Sequence, residues 1–335
     1  MECSDSVLQD NLKQPVAQPQ RGDLRQVDAV VVSFNTCTLT LRCVEALCAD
    51  SSVNRVCVVD NGSKDGSQEA LIERSCRQHD EGGAPALQIE CICKNRGFGG
   101  ANNLGVGATE SEFVALVNSD AFVLSGAIET MRDYLKAHPH VGVVGPRLLN
   151  TDGTFQESRF PFPTPLRAWF ENLGFTRLRR SFKDSRPPYA GPVDWLSGAC
   201  LLIRRSGWIE SGGFDESFFL YSEETDLQKR IRSAGWEIHW VPEAIVTHVG
   251  GGSGGSCRTE VREHFFEGVD RYFLKHFGKL GAVLLRGATC VGACLRWIEA
   301  CLLLRVPKQR EAAWLLKRQI GRPFPALHTP SGRGL

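Results

Sequence analysis

The chain has 335 residues, 42% of them hydrophobic and 23% charged, with 34 Gly and 16 Pro. These ordinary globular values exclude collagen-like, wholly disordered and disulfide-scaffold classes. A net charge of +1 gives no global field of the kind a nucleic-acid binder carries, so no nucleic-acid partner is expected.

Residues 1–24 are polar, contain Pro15 and Pro19, and read as a flexible lead-in. Short β-branched runs then alternate with helix-like stretches. Val27 to Phe34, Val56 to Val59, Phe113 to Val117 and Val141 to Val144 read as buried strands. Helices are expected near Leu39 to Cys48, Ser67 to Gln78 and Gly126 to Ala137. This alternation predicts an α/β fold with an open, doubly wound, mainly parallel sheet, whose ligands sit beyond the strand C-terminal ends. Three strands end there in polar clusters: Ser33-Phe34-Asn35, Asp60-Asn61-Gly62-Ser63 and Asn118-Ser119-Asp120. The Pro/Arg-rich stretch from Arg159 to Pro188 reads as a mobile loop. A second ordered block follows, with a helix from Glu224 to Ala234, Gly235 as its C′ cap, and a strand near Ile238 to Val246.

From Phe265 the chain reads as helical. Its last part is basic: from Arg271 onward there are 12 Lys/Arg against only Glu299 and Glu311. The longest apolar run, Leu280 to Leu304, is broken by Arg286, Arg296 and Glu299, so no spanning helix is expected. The 13 cysteines are scattered without paired C-x-x-C spacing, and no charged start leads into an apolar run at the N-terminus. Reduced thiols in a cytoplasmic protein are the expectation.

The motifs each admit two readings. Asp60 to Ser67 is a strand running into a turn and a helix start, able to accept from a base or ribose and to face a phosphate, but also a plain capped turn. In Asn95-Arg96-Gly97-Phe98-Gly99-Gly100-Ala101-Asn102 the glycines permit close approach to a phosphate. The pattern ends in Asn where the dinucleotide fingerprint needs Gly or Ala, and it does not follow the first strand. Asp120, about 20 residues on, keeps an NAD(P)-dependent oxidoreductase as an alternative. Asp120 itself is either a loop residue or the carboxylate of a divalent-metal site. Glu223, Glu224 and Asp226 open a helix, where the macrodipole favours acids. Glu223 and Asp226 should share a face, while Glu224, rotated by about 100°, points into a different pocket as a candidate general base. His248 precedes the Gly run 250–252, and is either structural or a ligand under a moving loop.

Five segments in order resemble the inverting nucleotide-sugar glycosyltransferases of family 2, GT-A fold, and most closely their rhamnosyltransferase-like branch. They are Val-Ser-Phe-Asn at 32–35, Asp-Asn-Gly-Ser at 60–63, Asn-x-Gly-Phe-Gly-Gly-Ala-Asn at 95–102, Asn-x-Asp at 118–120, and Gly-Gly-Phe-Asp-Glu at 212–216 leading to Glu223-Glu224-x-Asp226. The resemblance implies a glycosyltransferase domain over 25–260, with a nucleotide-sugar half (25–125) and an acceptor half (126–260), followed by a basic tail over 261–335. It makes Ser33, Asn35, Asp60, Asn61, Ser63, Asn95, Gly97, Phe98, Gly99, Gly100, Asn102 and Asn118 the nucleotide-sugar cradle. Asp120 and His248 become ligands of Mg²⁺ or Mn²⁺ on the diphosphate. Glu224 becomes the base, Glu223 and Asp226 orient the acceptor, and Trp195, Ser197 and Gly198 line the acceptor pocket. The implied partners are a nucleotide-diphosphate sugar, dTDP-rhamnose foremost, and a glycan or polyprenyl-linked saccharide used in cell-wall polysaccharide synthesis.

Two departures matter. Glu224 stands where the family has Asp, and the extra methylene moves the carboxylate by about 1 Å. The metal motif carries one acid rather than two. A catalytically silent nucleotide-sugar-binding scaffold is therefore a further alternative. The tail reads either as contact with an anionic membrane at its inner face or as packing against the catalytic domain.

Overall fold

In a computed structural model, the residues described are 27–80, 85–174, 189–250 and 258–325; the lead-in and much of the Pro/Arg-rich stretch lie outside them. The first half runs β1 (Val27–Ser33), α1 (Cys37–Cys48), β2 (Val53–Asp60), α2 (Ser67–Asp80), β3 (Ala86–Cys91), α3 (Gly97–Gly107), β4 (Phe113–Asn118), β5 (Ala121–Val123), α4 (Ala127–Ala137) and β6 (Val141–Leu149). Then come β7 (Phe155–Gln156), β8 (Arg159–Phe160), α5 (Pro165–Asn172), β9 (Gly191–Pro192), β10 (Trp195–Leu196), β11 (Cys200–Arg204), α6 (Arg205–Ser211), α7 (Glu223–Ser233), β12 (Glu237–His248), α8 (Arg258–Leu302) and α9 (Val306–Gly321).

The main sheet has the order β3-β2-β1-β4-β11-β6-β12-β5, with β7 and β9 added to β6 and β12. It is mainly parallel, as expected; β11 runs antiparallel to both β4 and β6. β1 is buried on both faces, which is why its sequence, Val-Asp-Ala-Val-Val-Val-Ser, does not alternate. One face packs on α1 and α4 through Val31, Leu47, Ile128 and Met131, the other on α3, α6 and α7 through Val30, Ala101, Trp208 and Leu227. Parallel pairing sets Ser33 beside Asp60 and Val32 beside Asn118, so the three polar strand ends share one rim.

Three expectations change. The glycine-rich segment after Arg96 is not a loop but helix α3, which follows the third strand. Its low helix propensity is offset by closeness: a Cβ on Gly105 would overlap Val30, and one on Gly99 would sit 3.0 Å from Phe214. β3 and β11 carry too few residues of either period to stand out in the sequence, and exist because neighbours pair with them. Part of the expected loop 159–188 is ordered, with α5 opened by Pro165 and by Thr164, whose side chain accepts from the Arg167 N–H.

Gly235 lies at φ +99° just past α7, the left-handed position that ends the helix as expected. Helix α8 crosses position 260/261 without a break, changes direction at Gly278, packs with α5 around Ala168, Phe218, Tyr272 and Phe273, and is also packed by α9.

Candidate active site

The strand ends open into a cleft of about 530 Å³. β12 pairs antiparallel with β5, placing His248 opposite Ala121, and the Val249 N–H donates to the Asp120 carbonyl at 3.0 Å. That pairing brings His248 Nε2 to 3.3 Å from Asp120 Oδ1 on the cleft wall. His248 Nδ1 lies 2.7 Å from Gln156 Oε1, an acceptor that holds the ring with Nε2 turned toward Asp120. Gln156, on the two-residue strand β7, gave no signal in the sequence. One carboxylate and one imidazole on a common wall suit a Mn²⁺- or Mg²⁺-class ion whose remaining ligands would come from a diphosphate. The expected pair is thus brought together.

The nucleotide-side residues divide into two groups. Asn61, Asn95, Gly97, Phe98 and Asn118 line the cleft. Asn118 Oδ1 is buried there without a hydrogen-bond partner. Behind the wall, Asp60 is fully buried; its Oδ1 accepts from the Gly62 and Ser63 N–H groups and from Gln68, while Oδ2 has no partner. Ser33 bonds Thr40, and Asn35 is fixed at φ +53° by exchange with the next loop: its N–H donates to Ser63 Oγ, and the Lys64 N–H donates to its Oδ1. Gly99, Gly100 and Asn102 lie on α3 away from the cleft. Gly100 packs beside Arg96 and Glu216, and Asn102 donates to the Phe98 carbonyl. The close approach these glycines allow is therefore to protein. Gly97, at φ +77°, is the strongest case: a Cβ there would overlap the carbonyl oxygen of Phe219, to which the Phe98 N–H donates.

Helix α7 supplies the acids. Tyr221 and Ser222 precede it at φ +70° and +69°, an abrupt entry that leaves Glu223 as the first helical residue at the cleft mouth. Both Glu223 and Glu224 line the cleft, against the expectation that they face different pockets. Glu223 is buried and its Oε2 has no partner. Burial, and after it the neighbouring Glu224 charge, push the Glu223 carboxyl well above the ordinary range; burial raises Glu224 as well. Gly198 sits against Glu224, where an added Cβ would be 3.3 Å from its side chain. Gln228 locks the 195–198 segment onto α7 by bonding the Leu196 N–H and carbonyl, both at 2.8 Å, and the Glu224 carbonyl at 3.1 Å. Ser197 and Gly198 line the cleft, whereas Trp195 stacks on Phe160 outside it.

Asp226 is elsewhere. Its side chain turns from the cleft into a cluster with Arg230, Lys275 and His276, the last at 2.8 Å. Burial alone would raise its pKa, but His276, Arg230 and Lys275 hold it at about 2. The expectation that Asp226 orients the acceptor is thus not met by the geometry; it ties α7 to α8. Helix α8 in turn places Glu260, Val261 and His264 on the cleft, opposite Phe219 and Tyr221. Nothing in the sequence pattern marked those residues, because their place depends on how the tail folds back.

The sheet order, the strand-end cleft and the paired Asp and His define a GT-A fold, and known structures agree. The chain superposes on a mannosyltransferase from Pyrobaculum calidifontis in complex with GDP-Man and Mn²⁺ (TM-score 0.53, 17% identity, 89% of this chain and 88% of that one). It also superposes on GalNAc-T7 with UDP, GalNAc and Mn²⁺ (TM-score 0.54, 14% identity, 73% and 47%). The profile of Glycosyl transferase family 2 matches residues 28–206, just over half of the chain, and the protein belongs to that family. An N-acetylglucosaminyl-diphospho-decaprenol L-rhamnosyltransferase of Mycobacterium tuberculosis is 32% identical over 213 residues, which are 58% of this chain and 66% of the relative, just under two thirds of its length.

Proposed function

We propose that the protein transfers a sugar, rhamnose from dTDP-rhamnose foremost, to a polyprenyl-linked saccharide in cell-surface polysaccharide synthesis, with inversion at the anomeric carbon. One observation carries the reading: a single cleft joins the Asp120–His248 pair to the adjacent acids Glu223 and Glu224. The name of the mycobacterial relative supports the donor sugar and the acceptor class.

Asp120 and His248 would hold a divalent ion, which when bound would supply charge neutralisation for the leaving diphosphate. Asn118 Oδ1 is an unused acceptor on the cleft wall for a donor hydroxyl or base N–H group. Glu223, raised further, keeps its proton and donates to the acceptor, while Glu224 stays ionised and takes the proton from the attacking hydroxyl. The hydroxyl oxygen bonds the anomeric carbon as the carbon–phosphate oxygen bond breaks, its electron pair leaving on the diphosphate.

The tail supports a membrane-bound acceptor. Leu280, Leu284, Val291, Leu295, Ile298 and Leu302 are exposed and fall within about 60° on one face of α8. Leu166, Phe170 and Leu173 make a second exposed apolar face on or just past α5, which packs on α8. One stretch of α8 is long and apolar enough to cross a bilayer, with mean hydropathy 1.3; 39% of it is buried against the chain, and the Arg286 guanidinium is turned inward to Asp270 and the Arg322 carbonyl. An apolar stripe laid on a membrane surface fits this better than a span. Sedimentation with anionic vesicles should be strong for the wild type and weak for Leu280→Asp/Ile298→Asp.

The test of the donor is thermal stability with UDP-, dTDP- and GDP-sugars, with and without Mn²⁺. A Mn²⁺-dependent rise with dTDP-rhamnose is expected. A rise with NAD(P) alone would overturn the reading, and retention at the product anomeric carbon by NMR would remove inversion.

A further inference from the structure

At the far end of the sheet from the cleft, His140, Glu237 and His239 bring two imidazole nitrogens and a carboxylate oxygen within 4.8 Å of one another. Sheet geometry makes the cluster. His140 immediately precedes β6, whose first residue, Val141, pairs with Glu237, and the Glu237 N–H donates to the His140 carbonyl at 3.0 Å. Residues 237 and 239 alternate along β12 and so share a face. His239 Nε2 lies 2.7 Å, and His140 Nε2 3.6 Å, from the same oxygen, Glu237 Oε2.

The buried ring of His239 is held from behind. The Tyr134 hydroxyl of α4 is 2.9 Å from His239 Nδ1, which leaves Nε2 to face the cluster. Outer partners of this kind orient metal-bound imidazoles. The transfer reaction has no use for these residues, since His239 and His248 are separated by roughly 30 Å of strand.

We propose that His140, Glu237 and His239 form a site for a divalent transition metal, Zn²⁺ foremost, that clips the start of β6 to the start of β12. Two imidazoles and a carboxylate, with a water in the fourth position, are a donor set that Zn²⁺ takes, whereas Mg²⁺ and Ca²⁺ favour oxygen alone. Tetrahedral bonds of about 2.0 Å place donors about 3.3 Å apart, so closure needs only a side-chain rotation of exposed His140. With Zn²⁺ on Nε2, His239 carries its proton on Nδ1, where the Tyr134 oxygen accepts it. The site is distinct from the cleft in donors and in place.

The test is equilibrium dialysis of the full chain against Zn²⁺, with Co²⁺ absorption spectra, in an Asp120→Ala background that removes the cleft pair. That protein should bind one Zn²⁺, gain thermal stability, and give a four-coordinate Co²⁺ spectrum without a thiolate band. Adding His140→Ala or Glu237→Gln, both exposed positions, should weaken binding by about tenfold or more and cancel the stability gain. The proposal is overturned if the Asp120→Ala protein takes up no Zn²⁺, if uptake survives both substitutions, or if a thiolate band shows that cysteines hold the ion.

Discussion

Glu223 and Asp226 lie within one turn of α7, yet their surroundings drive them in opposite directions. Glu223 faces the cleft with an unpartnered oxygen and a raised pKa; Asp226 faces α8, saturated by Arg230, Lys275 and His276, and is held at about 2. The difference teaches that an acid at a helix start is assigned by what packs against it. The macrodipole acts on both residues alike. Ionising the buried cleft acids costs stability, while Asp226 contributes stability and has no spare lone pair to offer a substrate.

The comparison can be broken most severely at the cleft. Glu224→Gln should lower donor turnover, read as nucleoside diphosphate release, by about 10²- to 10⁴-fold. Asp120→Ala should abolish the Mn²⁺ dependence of nucleotide binding by calorimetry, leaving the melting temperature without metal nearly unchanged, because its partner His248 keeps Gln156.

Next in size is Asp226→Asn, which leaves the Arg230 and Lys275 cations and the His276 ring facing a neutral amide. It should cost about 3 to 5 kcal/mol in urea unfolding, with residual activity following the folded fraction. Glu223→Gln should instead leave stability at neutral pH about unchanged, because a buried, protonated carboxyl is exchanged for a neutral amide of the same shape.

The pH dependence sharpens the contrast further. A raised carboxyl costs stability above its folded pKa and is relieved as pH falls, so the acid limb of kcat/KM should lie above the ordinary Glu value of about 4.3. The depressed carboxyl of Asp226 contributes on the order of 2 kcal/mol above pH about 3.9, lost as pH falls through about 2. Acid titration of stability should therefore lose its lowest limb in Asp226→Asn alone.

How much of this was legible follows from the same physics. The parallel strands were readable because burial on both faces writes uninterrupted β-branched runs, and their polar ends gave the rim, with Asp120 and His248 on it. The α3 helix was hidden because its glycines, poor helix formers, are there for contact with Val30 and Phe214. Asp226 was misplaced because its partners, Lys275 and His276, lie some fifty positions away on a tail whose return to the cleft leaves no periodic mark. Gln156 and Gln228, which orient His248 and the segment beside Glu224, act through single side-chain bonds that no pattern announces.

The most direct test sets the two acids side by side: nucleoside diphosphate release from the donor by Glu224→Gln and Asp226→Asn, each normalised to its folded fraction. Near-complete loss in Glu224→Gln with near wild-type specific activity in Asp226→Asn is the predicted result. Equal loss in both, or full activity in Glu224→Gln, would contradict the division between a reactive cleft pair and a structural acid.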